Sequence, residues 1–298
     1  MKERYYKKNI SNKVFDLFNI LFMVIFSFIM LYPFWNQLVL SLNDGLDAMK
    51  GGIYFWPRLF STDAYKMLFE DGNLIKGALV SVLRVVFGTG TCLIATGLLS
   101  YVLTVKSFSG KKIIRIIFIF TMYFSGGLIP FYLLIVKLGM TDTFSVYWLP
   151  GLVNVYYMLI ISSYMQNLPE SISESARIDG CSELRIFFQI IFPISKPVFA
   201  AIAVYLAVGH WNAWFDALIY NPSGNWDTLQ VYLRRLLLEA EAVNQVQNAQ
   251  LAQNEYRNLS PETLRAAATM VVTLPIVMVY PFFQKYFVSG ITLGSVKG

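Results

Sequence analysis

A single histidine, two cysteines and a charged fraction of 14% leave this chain of 298 residues short of the materials of soluble chemistry. A soluble domain carries about 25% charged residues, so there is too little polar surface here to face water on every side. No G-x-x-x-x-G-K-[ST] stretch is present to cradle a nucleotide, and "SGKK" at 109–112 lacks both the upstream glycine and the following Ser or Thr. Catalysis is therefore excluded, and any ATP hydrolysis has to come from a partner. His210 reads as a helix-packing residue rather than a ligand. Cys92 sits in an apolar run and Cys181 in a charged segment, which gives neither a disulfide framework nor a metal site. No basic helix is interleaved with polar base-reading residues, so the net charge of +6 points to membrane topology rather than to nucleic acid.

What the chain has in abundance is grease: 56% of it is hydrophobic and 16% aromatic. Runs such as "LFNILFMVIFSFIMLYPFW" match the ~20 apolar residues needed to cross a hydrocarbon core. The first run exceeds the ~7–15 residues of a signal-peptide core and no small-x-small cleavage site follows it, so it reads as a retained span. Six apolar runs are visible, near 16–42, 77–105, 113–136, 145–166, 198–220 and 266–288. An even number puts both termini on one side. Lys2, Arg4, Lys7, Lys8 and Lys13 place that side in the cytoplasm, and Lys106, Lys111, Lys112 and Arg115 agree. The expected division is a basic tail at 1–15, a six-helix membrane domain at 16–288 with a long outer loop at 221–265, and a cytoplasmic tail at 289–298.

One stretch breaks the pattern. "ESARIDGCSELRIFFQIIFP", residues 174–193, carries Glu174, Arg177, Asp179, Glu183 and Arg185 between two apolar runs. Each such charge at the centre of a spanning helix costs about 2.5–3.5 kcal/mol, so the segment has to stay out of the bilayer as part of a structured cytoplasmic loop over 167–197. Its local signals predict helix, turn, helix. Pro169 suits a first helical position and Glu170 the positive end of the dipole. Gly180 is a natural left-handed stop, and Ser182 and Glu183 suit the start of the next helix. From these residues alone, a docking element and an ordinary connecting loop are equally good readings.

The spacing Glu174-x-Ala176-x-x-Asp179-Gly180, nine residues, then Ile190-x-Phe192-Pro193 resembles the EAA loop of ABC importer permeases. Ser175 stands where that pattern has its second-position alanine, and Phe192 where it has leucine. "FSGGLIPFYLLIVKLGM", "HWNAWFDALIY" and "YPFFQKYFVSGITLGSVKG" are similar to carbohydrate-uptake permeases related to the second (G-type) subunit of the maltose transporter, in the branch handling larger or modified oligosaccharides. The resemblance implies an all-α polytopic protein with the type I ABC importer permease fold. It also implies a coupling helix docked on an ATPase through Glu174, Ala176, Asp179, Gly180, Ile190 and Pro193. A second ATPase contact is implied for the tail at Gly290, Gly294, Lys297 and Gly298. The implied partners are a related permease subunit, two ATPases that hold the ATP and Mg²⁺ while this chain carries no cofactor, and an extracellular sugar-binding protein.

Candidates for the transport path come from the spans. Gly126, Gly127 and Pro130 interrupt the third run, and irregular backbone at membrane depth survives only in contact with protein or a cavity; close helix packing through small residues explains the same glycines. Near the end of the fifth run, Trp211 and Trp214 are spaced i,i+3, and Asn212 and Asp216 i,i+4. On one helix that spacing pairs an aromatic edge with a polar edge, a combination that suits a sugar, although an interfacial aromatic belt places tryptophan there as well. Asp216 is an acidic residue at membrane depth. Arg84 either pairs with a neighbour or snorkels, with sugar contact a third option, and Asn154, Tyr156 and Tyr157 are lesser candidates. The resemblance thus implies an importer permease for oligosaccharides working by alternating access. The rivals are an ion-coupled secondary transporter, a membrane-embedded sensor and an ABC permease for a non-sugar solute.

Overall fold

The structure, a computed structural model, describes residues 10–70, 72–247 and 260–292. Lys2, Arg4, Lys7, Lys8, the outer-loop stretch 248–259 and the tail residues Gly294, Lys297 and Gly298 lie outside the described residues. Among the described residues the fold is all helical, with one isolated backbone bridge between Asn43 and Phe60. The chain divides into two compact units, residues 1–70 with 237–271 and residues 71–236 with 272–298.

The first unit opens with α1 (Ile10–Ser41), a long apolar helix. Its side chains from Val14 to Leu31 stand exposed, which suits lipid and not water. Past Pro33 the helix becomes polar enough to hold a loop. Trp35 Nε1 donates to the Phe55 carbonyl at 3.0 Å and Asn36 Nδ2 to the Ile53 carbonyl at 3.0 Å. The loop itself is ordered by α2 (Gly45–Ala48), capped by Asp44, and by the buried carboxylate of Asp47, which receives Arg58 Nε at 3.0 Å and Asn43 Nδ2 at 3.2 Å. Those donors hold Asp47 below the usual carboxylate range, the Asn43 hydrogen bond foremost. Val39, Ala48 and Ile53 form the small core, and α3 (Asp63–Glu70) closes the segment.

The second unit is built around α4 (Asn73–Val102), a span whose buried face is made of small and polar residues: Gly77, Ser81, Gly88, Cys92, Thr96, Gly97 and Ser100. Small residues let helix backbones approach, and their hydroxyls bond across the gap where no water competes. Next come α5 (Lys111–Tyr123), α6 (Leu128–Lys137), a 3₁₀ turn at Phe144–Tyr147 and α7 (Val155–Gln166). Ser100 Oγ donates to the Met158 carbonyl at 3.0 Å and Asn154 N to Thr96 Oγ1 at 3.1 Å, which ties α7 to α4. After α8 (Glu170–Ile178), α9 (Glu183–Ile186), a π-turn at Phe187–Ile191 and α10 (Phe192–Ile194), the helix α11 (Lys196–Asn212) lies against α4. The unit continues with α12 (Phe215–Tyr220), while α13 (Leu229–Gln247) and α14 (Pro261–Thr292) each contribute residues to both units. At the start of α14, Ser260 Oγ accepts from Thr263 N at 3.2 Å with Pro261 and Glu262 in the first turn.

The α4–α11 contact sets a sharp packing limit. A methyl group at Gly97 would meet Phe199 Cε1 at 2.7 Å, and that ring is held 4.7 Å from Phe192 in a core with Phe187. Gly97→Ala is therefore expected to cost about 1–3 kcal/mol by overpacking, read as a lowered unfolding midpoint of the detergent-solubilised protein; an unchanged midpoint would show that the ring has room to move.

Among the described residues, three helices are long and apolar enough to cross a membrane, Lys13–Ser41, Asn73–Val102 and Pro261–Val279, and five if two bent pairs each count as one span. The third apolar run is one of those pairs, α5 and α6 meeting at 115°. The other joins Glu183–Ile194 to α11 at 83°. The run at 145–166 differs from a full span: only the 12 residues of α7 are α-helical, about 18 Å of rise against the ~30 Å of a hydrocarbon core. Residues 289–292, expected in a polar tail, continue α14, so that Gly290 lies in helix.

Candidate functional site

The interrupting segment folds as a helical hairpin. Pro169 stands at the N-cap, with φ −59° and ψ 125°, one residue earlier than its expected place inside the helix. At the other end, Gly180 adopts φ +77° and its N–H donates to the Arg177 carbonyl at 3.0 Å, while Cys181 N donates to the Ala176 carbonyl at 3.0 Å. This pair of bonds is a Schellman stop, which needs a left-handed residue at Gly180. Ser182 then accepts from Arg185 N at 3.4 Å and starts α9.

The hairpin shows two faces. Ala176, Ile186, Phe187 and Ile191 are buried in one core with Tyr101, Ile161 and Phe199, and Ile190 and Phe192 pack against it; Pro193 lies in the first turn of α10. Glu174, Asp179 and Gly180 are exposed on the other side, together with two apolar side chains, Ile178 (86% exposed) and Leu184 (62%). Polar ties hold the hairpin to α4. The Tyr101 hydroxyl, on a 5% exposed residue, donates to Glu183 Oε2 at 2.5 Å, and Arg177 Nε donates to Glu183 Oε1 at 2.7 Å. Lys106 pairs with Glu170. The hydrogen bond from Arg177 to Glu183 holds the guanidinium above its ordinary range, and the bond to Glu170 does the same for Lys106.

The second candidate lies where α11 gives way to α12, and here the sequence expectation needs correction. Trp211, Asn212, Trp214 and Asp216 do not share one helix. The chain breaks after Asn212: Ala213 is extended (φ −73°, ψ 126°), Trp214 leaves helical geometry, and α12 starts at Phe215. Trp211 instead turns its Nε1 to the Val272 carbonyl at 3.1 Å. The Asp216 carboxylate is claimed by Arg84 through two bonds, Nη1 to Oδ1 at 3.0 Å and Nη2 to Oδ2. Arg84 is 3% exposed, and its Cζ sits 4.8 Å above the centre of the Tyr147 ring. Residues 132 positions apart in the chain thus form an ion pair that neutralises the acidic group.

The other sequence candidates fall elsewhere. Asn154 caps α7, accepting from Tyr157 N at 3.1 Å, and so has a structural role; Tyr156 stays exposed with its ring 5.5 Å from that of Tyr157. The His210 ring lies against Gly88, where a methyl group would approach it to 2.5 Å, so it packs between α11 and α4 as expected. Gly126 and Gly127 form the α5–α6 bend with Gly127 at φ +86°; a side-chain carbon would meet only Pro130 at the first and nothing within 4 Å at the second. They are therefore not a close helix contact within this chain. Sequence reasoning missed the Tyr101–Glu183 tie and the placing of Arg234, whose Cζ lies 4.1 Å over the Trp214 ring. No local signal announces either, because both partners come from remote helices.

The chain matches, over residues 3–293, the family described as binding-protein-dependent transport system inner membrane component. It is 35% identical over 292 residues to the polygalacturonan/rhamnogalacturonan transport system permease protein YtcP of Bacillus subtilis, covering 97% of this chain and 100% of the relative. It is 30% identical to the arabinooligosaccharides transport system permease protein AraQ of the same organism, covering 93% and 94%. Among solved structures it resembles a chain of a bacterial ABC transporter involved in the import of the acidic polysaccharide alginate, with a TM-score of 0.81, 27% identity and coverage of 95% of this chain and 99% of that one.

Proposed function

Because the chain belongs to the family of binding-protein-dependent transport system inner membrane components, we propose that it passes acidic oligosaccharides across the cell membrane. It is a multi-pass membrane protein and a permease subunit of a carbohydrate ABC importer, not an enzyme. The family works with a partner permease, an ATPase and a solute-binding protein. In our reading there are two ATPases, which hold the ATP and Mg²⁺, while this chain carries no cofactor. Both termini and the α8–α9 hairpin face the cytoplasm, and the C-terminal residues Gly290, Gly294, Lys297 and Gly298 add a second ATPase contact. The acidic substrate class is supported by the relatives: one is named for polygalacturonan, and the structural neighbour imports alginate.

The mechanism rests on the hairpin. Its inner face is part of the same core as α4, α7 and α11, so it moves with those helices as one body. Its outer face carries Glu174, Asp179 and the exposed Ile178 and Leu184, a small apolar knob with an acidic rim. Seated in a cleft of the ATPase, that knob turns closure of the nucleotide-bound dimer into a displacement of the core helices. The path between the two permease subunits then opens alternately to each side. The observation that carries this reading is the pair of large apolar side chains left in the open on a segment that is otherwise firmly packed.

Ile178→Asp with Leu184→Asp tests it. The exposed positions tolerate charge, so insertion and the melting temperature are expected to hold, while sugar-stimulated ATP hydrolysis of the reconstituted complex falls at least about tenfold through loss of two buried anchors. Normal stimulation in the double variant would overturn the docking role of the hairpin.

A further inference from the structure

Three arginines stand near the α11–α12 break, and the structure treats them differently. Arg84 is spent on Asp216. Arg235 Nη1 reaches Asp227 Oδ2 at 2.5 Å, and that carboxylate also accepts from Asn221 Nδ2 at 2.9 Å. Arg234 is exposed and, among the described residues, meets only the indole of Trp214, with Cζ 4.1 Å from the ring centre. The ring face attracts the cation and limits its rotamers, but it accepts none of the planar fork of N–H donors that a guanidinium carries. The result is a held charge with its hydrogen-bonding capacity unused.

The surroundings favour an anion. Lys76 also acts on Asp227, whose carboxyl is pushed above its ordinary range by burial ahead of the opposing effect of Arg235. Four cations, Arg84, Arg234, Arg235 and Lys76, therefore stand against three carboxylates in this part of the second unit, Asp216, Asp227 and Asp142, the last already accepting from Ser223. Asn212 is exposed at the end of α11, and the extended Ala213 leaves backbone unpaired by helix beside Trp214. Irregular backbone in a membrane protein has to border protein or a cavity, so the break offers an opening to a polar ligand where a continuous helix would present a closed surface.

We infer that Arg234, steadied on Trp214, is a binding residue for the carboxylate of a uronate unit in the passing oligosaccharide. A carboxylate matches the guanidinium fork with two parallel hydrogen bonds, an arrangement stronger and more directional than a lysine contact. The assignment rests on the proposed acidic substrate class and adds the residue that reads the acid. It also explains why Asp216 does not repel such a substrate: its charge is cancelled by Arg84.

The experiment uses the full importer complex with its binding protein in liposomes, and compares uptake of short oligogalacturonates with the same oligomers methyl-esterified at every carboxylate. Losing a charge-assisted hydrogen bond reduces binding on the order of tenfold to a hundredfold. Arg234→Gln is expected to lower uptake of the acid by at least about tenfold and leave the ester unchanged, with Arg234→Lys in between. Equal losses for acid and ester would show a structural or lipid-headgroup contact and overturn the inference. Unchanged acid uptake in Arg234→Gln would overturn it while leaving the substrate class standing. Failure of the unaltered complex to take up the acid at all would sink both.

Discussion

Asp216→Asn is expected to destabilise the protein by about 3–5 kcal/mol, among the largest single-residue effects in the chain. The amide keeps the shape of the carboxylate but leaves the Arg84 guanidinium, 3% exposed, charged and unpaired. Its Nε already has no partner in the structure, so the two bonds to Asp216 are the main compensation for its burial. The Tyr147 ring 4.8 Å away attracts the cation without accepting those hydrogens. Arg84→Met combined with Asp216→Leu removes both charges together and is expected to recover most of the loss, because an apolar pair of similar volume needs no compensation. The check is the unfolding free energy of the purified protein for the single and double variants. Additive losses would show that the two side chains do not act as a pair.

Tyr101→Phe is expected to uncouple transport from ATP hydrolysis without unfolding the protein. The phenol oxygen adds a directional polar tie between the span α4 and the hairpin to their shared apolar core, through its 2.5 Å bond to Glu183, and the same carboxylate is gripped from the hairpin side by Arg177. Removing one hydroxyl keeps the ring in the core, where it lies 5.6 Å from Phe187, so packing is preserved. A hydrogen bond to a charged group contributes about 1.5–3 kcal/mol, enough to change the number of sugars moved per ATP by roughly tenfold or more if the tie transmits the hairpin's motion. Glu183→Gln should reproduce the effect, and the double variant should be no worse than either single one. A proportional fall of both uptake and hydrolysis, with the ratio unchanged, would reduce the tie to a structural detail.

The hairpin is legible in the sequence because its signals are local. Gly180 takes the left-handed turn, Ser182 caps α9, and five charges keep the segment from spanning, all consequences of residues within a dozen positions of one another. Pro169 takes the N-cap and not the first helical position, because its fixed φ suits both places. The fifth apolar run was the harder case. Its helical periodicity through 211–216 predicted paired aromatic and polar edges, and the extended Ala213 cancels that geometry. Alanine is a strong helix former, so no propensity argument places a break there. The break follows from what the flanking side chains hold: Trp211 the Val272 carbonyl, Asp216 the Arg84 fork.

Composition and local spacing alone determined that this chain lives in a membrane and holds a charged helix–turn–helix segment that cannot cross it. Those properties depend on totals of apolar surface and on contacts between near neighbours. Only the tertiary structure decided that Arg84 and Asp216 cancel, that Tyr101 ties α4 to the hairpin, and that Arg234 is left on Trp214 with its donors unclaimed. Such pairings join helices far apart in the chain. A charge is committed or free according to which helix packs against it, and that is a property of the assembled core.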